Sequence, residues 1–418
     1  MKHAIDITNE NRQLGAVGDK LFRLGLTAAV VGGVASLGLA AITEHGFDRM
    51  AWSYLTSFAF GISLGLGALI FVLIQHTTRA GWSVAVRRLA EATASTVPWF
   101  AVLVIPIVLL WGPKLYHWMD KDAVAHDKIL QLKAPYLNMT FFLIRVVLYF
   151  LIWTLLARYF NRTSRAQDES GDAELTIKME RFAPGAVLLW ALTATFFAFD
   201  FLMSLDPHWF STIFGVYFFA GSFFAFNALL CVICWHLQQS GRLQNTITLD
   251  HYHDIGKWML SFTVFWSYIA FSQFMLIWYA NLPEETGWME RRYYGQWGWV
   301  SVLLLFGHFL APFLLLVSRI PKRRPNLLVK IAYWNLFIHF VDMYWLVMPQ
   351  FGHAGHAEAG AATVEHASHA VPLHLLDLTC LLFICGVLAA LLAKQLGAGS
   401  LLAVRDPRLE ESLTYENV

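Results

Sequence analysis

The sequence predicts an all-α polytopic membrane protein with ten transmembrane helices and both chain termini on the cytoplasmic side. Three observations lead there. Of the 418 residues, 57% are hydrophobic and 15% aromatic, and only 14% are charged, whereas soluble domains carry roughly a quarter charged residues. The apolar residues gather in runs of about 20, the length that crosses ~30 Å of hydrocarbon as a helix and twice that of a barrel strand. Lysine and arginine also alternate between dense and sparse connecting segments, as topology rules require.

In chain order, a polar segment at 1–20 precedes the first span, 21–43. It lacks the apolar core and small-residue cleavage site of a removable signal, so the first span is read as an anchor. The next spans are 52–75, 97–116 and 136–160. The fifth, 184–205, stops at Asp206, because the residue before a proline is driven out of the α region. Spans 212–238, 255–281 and 296–318 follow. The ninth, 327–349, ends at Pro349, and the tenth, 371–394, leaves a tail at 395–418. With the N-terminus inside, 22 of the 30 basic residues fall in inner segments and 7 in outer ones. The remaining one, Arg145, lies within a span.

Several classes of chemistry are disfavoured. A net charge of +1 gives no reason to expect nucleic acid. Cys231 and Cys234 form a C-x-x-C inside an apolar run, and Cys380 and Cys385 sit in another. A reactive thiol needs an exposed thiolate, so these read as inert filler. No haem-attachment or iron–sulfur cysteine pattern exists, so any redox metal centres belong to other chains and no covalent cofactor is expected. The loop at 353–370 carries His353, His356, His366 and His369, with His374 just beyond. Paired H-x-x-H spacings suit a metal, but the Ala/Gly-rich composition reads as an exposed loop, and no metal is assigned.

Ionisable groups in hydrocarbon are costly and so mark function or pairing. Counting 1.5 Å per residue from the span ends places Arg145 about 13 Å below the outer surface, Asp200 about 9 Å, Asp342 about 10 Å, His339 about 15 Å and Asp377 about 9 Å, with His308 near the midplane. Together with Asp206 these form an expected outer set, in which Arg145 pairs with Asp200 or Asp342. An inner set comprises His76, His236 and, from LDHYHDIGKW, Asp250, His251, His253, Asp254 and Lys257. An apolar layer between two polar clefts is what a proton path of two half-channels requires. Blander readings stand beside it: Asp250 to Asp254 as a helix cap, Asp206-Pro207 as a turn, and Arg145 with Asp200 as a structural pair. His308 and His339 could also hold a b-type haem, although a two-haem electron path would want two such pairs. His208 and Trp209 beside Asp206 are candidate quinone contacts.

Two stretches, SLDPHWFSTIFGVYFFAG (204–221) and DIGKWMLSFTVFWSYIAFSQFMLIWYANLPEETGWMERR (254–292), resemble signature regions of the NrfD-like membrane subunits of bacterial alternative complex III, a quinol:electron-acceptor oxidoreductase. That complex has two such subunits, C and F. AGWSVAVRRLAEA (80–92), the segment running from LYHWMD at 115 to LIW at 153, and the modest length favour the F type. The resemblance covers roughly residues 20–350. It implies two four-helix bundles with two flanking helices, seated in the bacterial inner membrane. It implies partners: a C-type paralogue, an iron–sulfur subunit, c-type haem subunits and a terminal oxidase. It also implies menaquinone or ubiquinol nearby, surrounded by membrane lipids.

Three roles follow from these expectations. The leading one is proton translocation coupled to quinol oxidation on a partner, in which a change in distance between Arg145 and its acid captures or releases a proton. The second is direct quinone binding. The third is a structural anchor for the external electron-transfer module. A solute transporter is a weaker fourth.

Overall fold

The computed structural model describes residues 9–351 and 371–417. His353, His356, His366 and His369 lie outside them. All regular structure among the described residues is helical, and ten helices are long and apolar enough to cross a membrane. These are α1 (Ala16–Ile42), α2 (Gly46–Thr77), α3 (Val84–Leu110), α4 (Met139–Ser170), α5 (Glu174–Leu205), α6 (Phe214–Gln239), α7 (Leu249–Ala280), α8 (Gln296–Val317), α9 (Pro325–Gln350) and α10 (Leu375–Gly397).

All ten expected spans recur, several of them extended. The largest difference is in α3, which starts at Val84 rather than 97. Its first turns carry Arg87, Arg88 and Glu91, which a hydropathy reading assigns to a loop. In the fold these charges meet one another and are fully buried. α3 and α8 each contain a widened π segment, Pro106–Leu110 and Leu305–Leu310. The second lies just before Pro312, which has no N–H to offer the carbonyl one turn back, at His308. Such segments recur at functional sites.

Helix α2 is the axis of the molecule. Ninety-four per cent of its most apolar window is buried, against 28% for α1. It touches α1, α3, α5, α6, α9 and α10. Helices α3, α4 and α5 pack in sequence beside it, while α6 is flanked by α7 and α9, with α8 against α7 and α9. The α1–α10 pair is cemented by small residues. A Cβ on Gly32 would lie 2.5 Å from the Phe383 backbone nitrogen, so only glycine permits this approach.

The first and last described segments lie at one end of the bundle, called here the terminal face. The Leu243 amide donates to the Asn11 carbonyl and the Leu401 amide to the Arg12 carbonyl. The last residues run back across the start of α3. Short helices Lys121–His126, Lys128–Lys133 and Pro283–Tyr293 cover the opposite face. Asp120 and Asp127 cap the first two by accepting backbone amides.

Candidate functional site

Two separate buried centres stand where a single outer layer was expected. In the first, Arg145 of α4 holds Asp200 of α5 by two parallel bonds, Nε to Oδ2 at 2.8 Å and Nη2 to Oδ1 at 2.9 Å. The Tyr149 hydroxyl donates to Oδ2 at 2.7 Å. The guanidinium also donates to the Tyr136 carbonyl at 2.9 Å and lies 3.9 Å from the Tyr136 ring centroid. Asp200 is wholly buried. Such a fork-to-fork pair is a strong form of ion pair, and every guanidinium nitrogen and both carboxylate oxygens are bonded.

Asp342, the other acid considered for Arg145, belongs to the second centre. It has no cation partner among the described residues. The Tyr217 hydroxyl donates to Oδ1, and Trp266 Nε1 donates to Oδ2 at 3.2 Å. One turn away, His339 Nε2 lies 2.9 Å from Ser63 Oγ, while its Nδ1 has no hydrogen-bond partner. His308 is stacked between Trp266 at 3.7 Å and Phe224 at 4.4 Å, with neither ring nitrogen bonded. One donor atom from each of His308, His339 and Asp342 lies within 4.8 Å of the others. Gly221 of α6 faces this centre. A Cβ there would come 3.0 Å from His339 Cε1, 3.3 Å from Nδ1 and 3.7 Å from Asp342 Oδ2. Glycine therefore lets the α6 backbone pack more closely on this imidazole than any other residue would. His308 keeps both ring nitrogens free, whereas His339 Nε2 meets Ser63, so a haem between the two histidines would have only Nδ1 on the His339 side.

Asp377 stands apart from the outer set in which it was expected. It belongs to neither centre. Arg49 donates to both its oxygens, at 2.8 and 2.7 Å, Ser53 donates at 2.8 Å, and the His374 amide at 3.0 Å. Because α10 begins at Leu375, Asp377 stands in the first turn and closes a capping box with His374. Arg49, expected in an outer loop, lies inside α2 and is buried.

The residues around the proline turn also part company. Asp206 pairs with Arg291 and accepts from Gln350 Nε2 at 3.2 Å. His208 reaches outward to Asp127 at 2.5 Å. Trp209 turns inward and stacks flat on Trp288, with centroids 4.1 Å apart. His208 and Trp209 thus do not share a pocket. An apolar slot of about 670 Å³ lies instead between α7 and α8, lined by Tyr217, Trp266, Phe271, Phe274, Trp299 and Trp345 among others. Its inner wall contains both donors to Asp342.

At the terminal face the expected cluster is dispersed. Thr248, not Asp250, is the cap of α7, closed by His251 Nδ1 accepting the Thr248 amide at 3.1 Å. Asp250 pairs with Arg323 at 2.6 Å. Asp254 pairs with Lys257 and accepts from Asn417 at 2.6 Å. His236 turns aside to the Tyr333 hydroxyl at 2.6 Å, and His253 Nδ1 is unbonded. His76, near the end of α2, is buried with Nε2 unpartnered. The layer between the two sets is not purely apolar. Asn335, one turn before His339, has both amide atoms unpartnered, and Asn227 of α6 has an unpartnered Oδ1.

Sequence reasoning missed the Arg87–Arg88–Glu91 cluster. The signal was present: two arginines followed three residues later by a glutamate, in a segment of otherwise small and apolar residues. No protein-family model and no curated protein matches the chain.

Proposed function

We propose that this chain is an integral membrane subunit of a respiratory quinol:electron-acceptor oxidoreductase of the alternative complex III type, and that it moves protons as quinol is oxidised on a partner. In this reading the terminal face is cytoplasmic, in agreement with the bias of basic residues. The bacterial inner membrane is the location, and the partners are a paralogous membrane subunit, an iron–sulfur subunit, c-type haem subunits and a terminal oxidase.

The observation that best supports proton movement is the second centre. A buried carboxylate without a cation is held only by two neutral donors, beside two imidazoles with free nitrogens. Relays of Asp and His are how buried protons travel through membranes. Arg145–Asp200, with every guanidinium nitrogen and both carboxylate oxygens bonded, is the rigid neighbour rather than the carrier. The unpartnered amide atoms of Asn335 and Asn227 extend polar groups from that centre toward the terminal face. The test is Asp342→Asn in the assembled complex, reconstituted in vesicles. Protons moved per electron should fall while quinol turnover and assembly persist. Unchanged stoichiometry would sink the reading.

A second reading, direct quinone binding, is favoured by the slot between α7 and α8. Apolar walls with a few convergent polar groups are the usual form of a small-ligand site. Its volume, about 670 Å³, suits an aromatic head with part of an isoprenoid tail. A photoreactive quinone should then label the segment around Phe271 to Phe274 and not that around His208.

A further inference from the structure

At the terminal face, α3 carries a buried charge cluster that the path described above does not use. Glu91 is 1% exposed, and neither carboxylate oxygen receives a well-directed hydrogen bond. Arg87 Nε lies 3.4 Å from Oε1 and Arg88 Nε lies 3.2 Å from Oε2. Each arginine has a closer client elsewhere. Arg87 pairs with Asp406, delivered by the C-terminal tail. Arg88 pairs with Asp168 of α4 at 2.8 Å and donates to Ser164 Oγ at 3.0 Å. Three carboxylates thus share the two guanidinium groups that touch them, and Glu91 has the longest contact with both.

Two further arginines stand nearby but direct their hydrogen bonds elsewhere, although the charge of Arg165 still attracts Glu91 and Asp168. Arg165 of α4 spends its donors on Asn161 at 2.8 Å and the Gln395 carbonyl at 3.0 Å. Arg408 of the tail pairs with Glu180 at 3.2 Å. His76 of α2, which feels Arg87 and Arg408, has an unpartnered Nε2. A buried carboxylate whose oxygens receive no directed hydrogen bond is costly as the anion and favours binding a proton.

The tail that supplies Asp406 is a strap laid across this face. Ser412 accepts from the Ala85 amide at 3.1 Å, donates to the Trp82 carbonyl at 2.7 Å and meets His251 at 3.1 Å. Asn417 ends it by bonding Asp254. We propose that Glu91 is a proton-holding site on the terminal side of the path, and that Asp406, by drawing the Nη2 end of Arg87 to itself and leaving only Nε at 3.4 Å from Glu91, sets when the proton is held. With Asp406 in place, Glu91 takes one proton from water at the terminal face and becomes a neutral acid. When the strap lifts, Arg87 is freed from Asp406 and closes on Glu91, the carboxylate is restored, and the proton is released to water at the terminal face. This rests on the proton-moving reading but is tested separately from it.

The experiment is infrared difference spectroscopy of the full chain in lipid nanodiscs, stepping the pH, with Glu91→Gln, Glu91→Asp and Asp406→Asn. A protonated-carboxyl band should vanish in Glu91→Gln, persist at a displaced frequency in Glu91→Asp, and weaken at fixed pH in Asp406→Asn because Arg87 is freed. A spectrum that Glu91→Gln leaves unchanged overturns the proposal, as does an unaltered band in Asp406→Asn. Vesicle assays that show no proton movement in the unmodified complex would instead sink the functional reading, whatever the band does.

Discussion

Arg145 and Asp200 meet as two matched forks across α4 and α5, with bonds of 2.8 and 2.9 Å and Tyr149 closing the remaining side of the carboxylate. Breaking a buried pair strands one charge and costs about 3–5 kcal/mol, whereas replacing both members by apolar side chains is often close to neutral. Asp200→Ala should therefore lower the unfolding midpoint sharply in nanodiscs, and the double variant Arg145→Met, Asp200→Leu should recover most of the loss. Equal destabilisation by the single and double variants would show that the pair is not what holds these helices together.

Gly221 lets the α6 backbone pack closely on His339. Adding a methyl group there places a carbon 3.3 Å from Nδ1 and 3.0 Å from Cε1, which is tight enough to push the ring. Gly221→Ala is expected to cost about 1–3 kcal/mol as overpacking, measured by thermal unfolding. It should lower protons per electron in vesicles more than it lowers quinol turnover. Normal coupling in a stable Gly221→Ala protein would mean that this centre is not on the path.

The cap of α7 is a local contribution that can be measured on its own. Thr248→Ala removes the hydroxyl that meets the Asp250 amide at 3.3 Å and should cost about 1 kcal/mol. Amide exchange in the first turn, at Asp250 and His251, would rise, while the rest of α7 stays protected.

Asp127 offers a pH response outside the membrane spans. Burial works against its charged form, but the His208 hydrogen bond and the amides of Leu130 and Ile129 outweigh burial and hold the carboxyl below the ordinary aspartate range. A carboxylate shifted down in the fold stabilises above its unfolded pKa, and that stabilisation is lost as pH falls through the folded value. Protection of the Ile129 and Leu130 amides, which donate to Oδ1 at 2.8 and 3.2 Å, should be high near neutrality, relative to the intrinsic exchange rate, and fall in acid. In Asp127→Asn, whose amide oxygen still caps the helix but does not titrate, that protection should persist and lose its dependence on pH.

Much of this molecule was legible in its residues. Runs of about twenty apolar side chains can satisfy their backbone in lipid only as helices, so ten apolar runs were enough to specify ten helices. Charges inside such runs had to be paired, so Arg145, Asp200 and Asp342 were marked before any helix was placed. Rise per residue, however, reports depth and not direction around the bundle. Arg145 therefore had two acids at similar depth, and only the packing of α4 on α5 selects Asp200 and leaves Asp342 to Tyr217 and Trp266. The same ignorance of neighbours hid Arg49 from Asp377, which are 328 residues apart in the chain. It also consigned Arg87, Arg88 and Glu91 to a loop. Hydropathy charges each ion the full cost of leaving water, whereas in the fold the tail brings Asp406 to Arg87 and α4 brings Asp168 to Arg88. Composition thus determined that the chain lives in a membrane and which side chains are expensive there; tertiary packing alone decided which of them compensate one another, because compensation depends on contacts between helices remote in sequence.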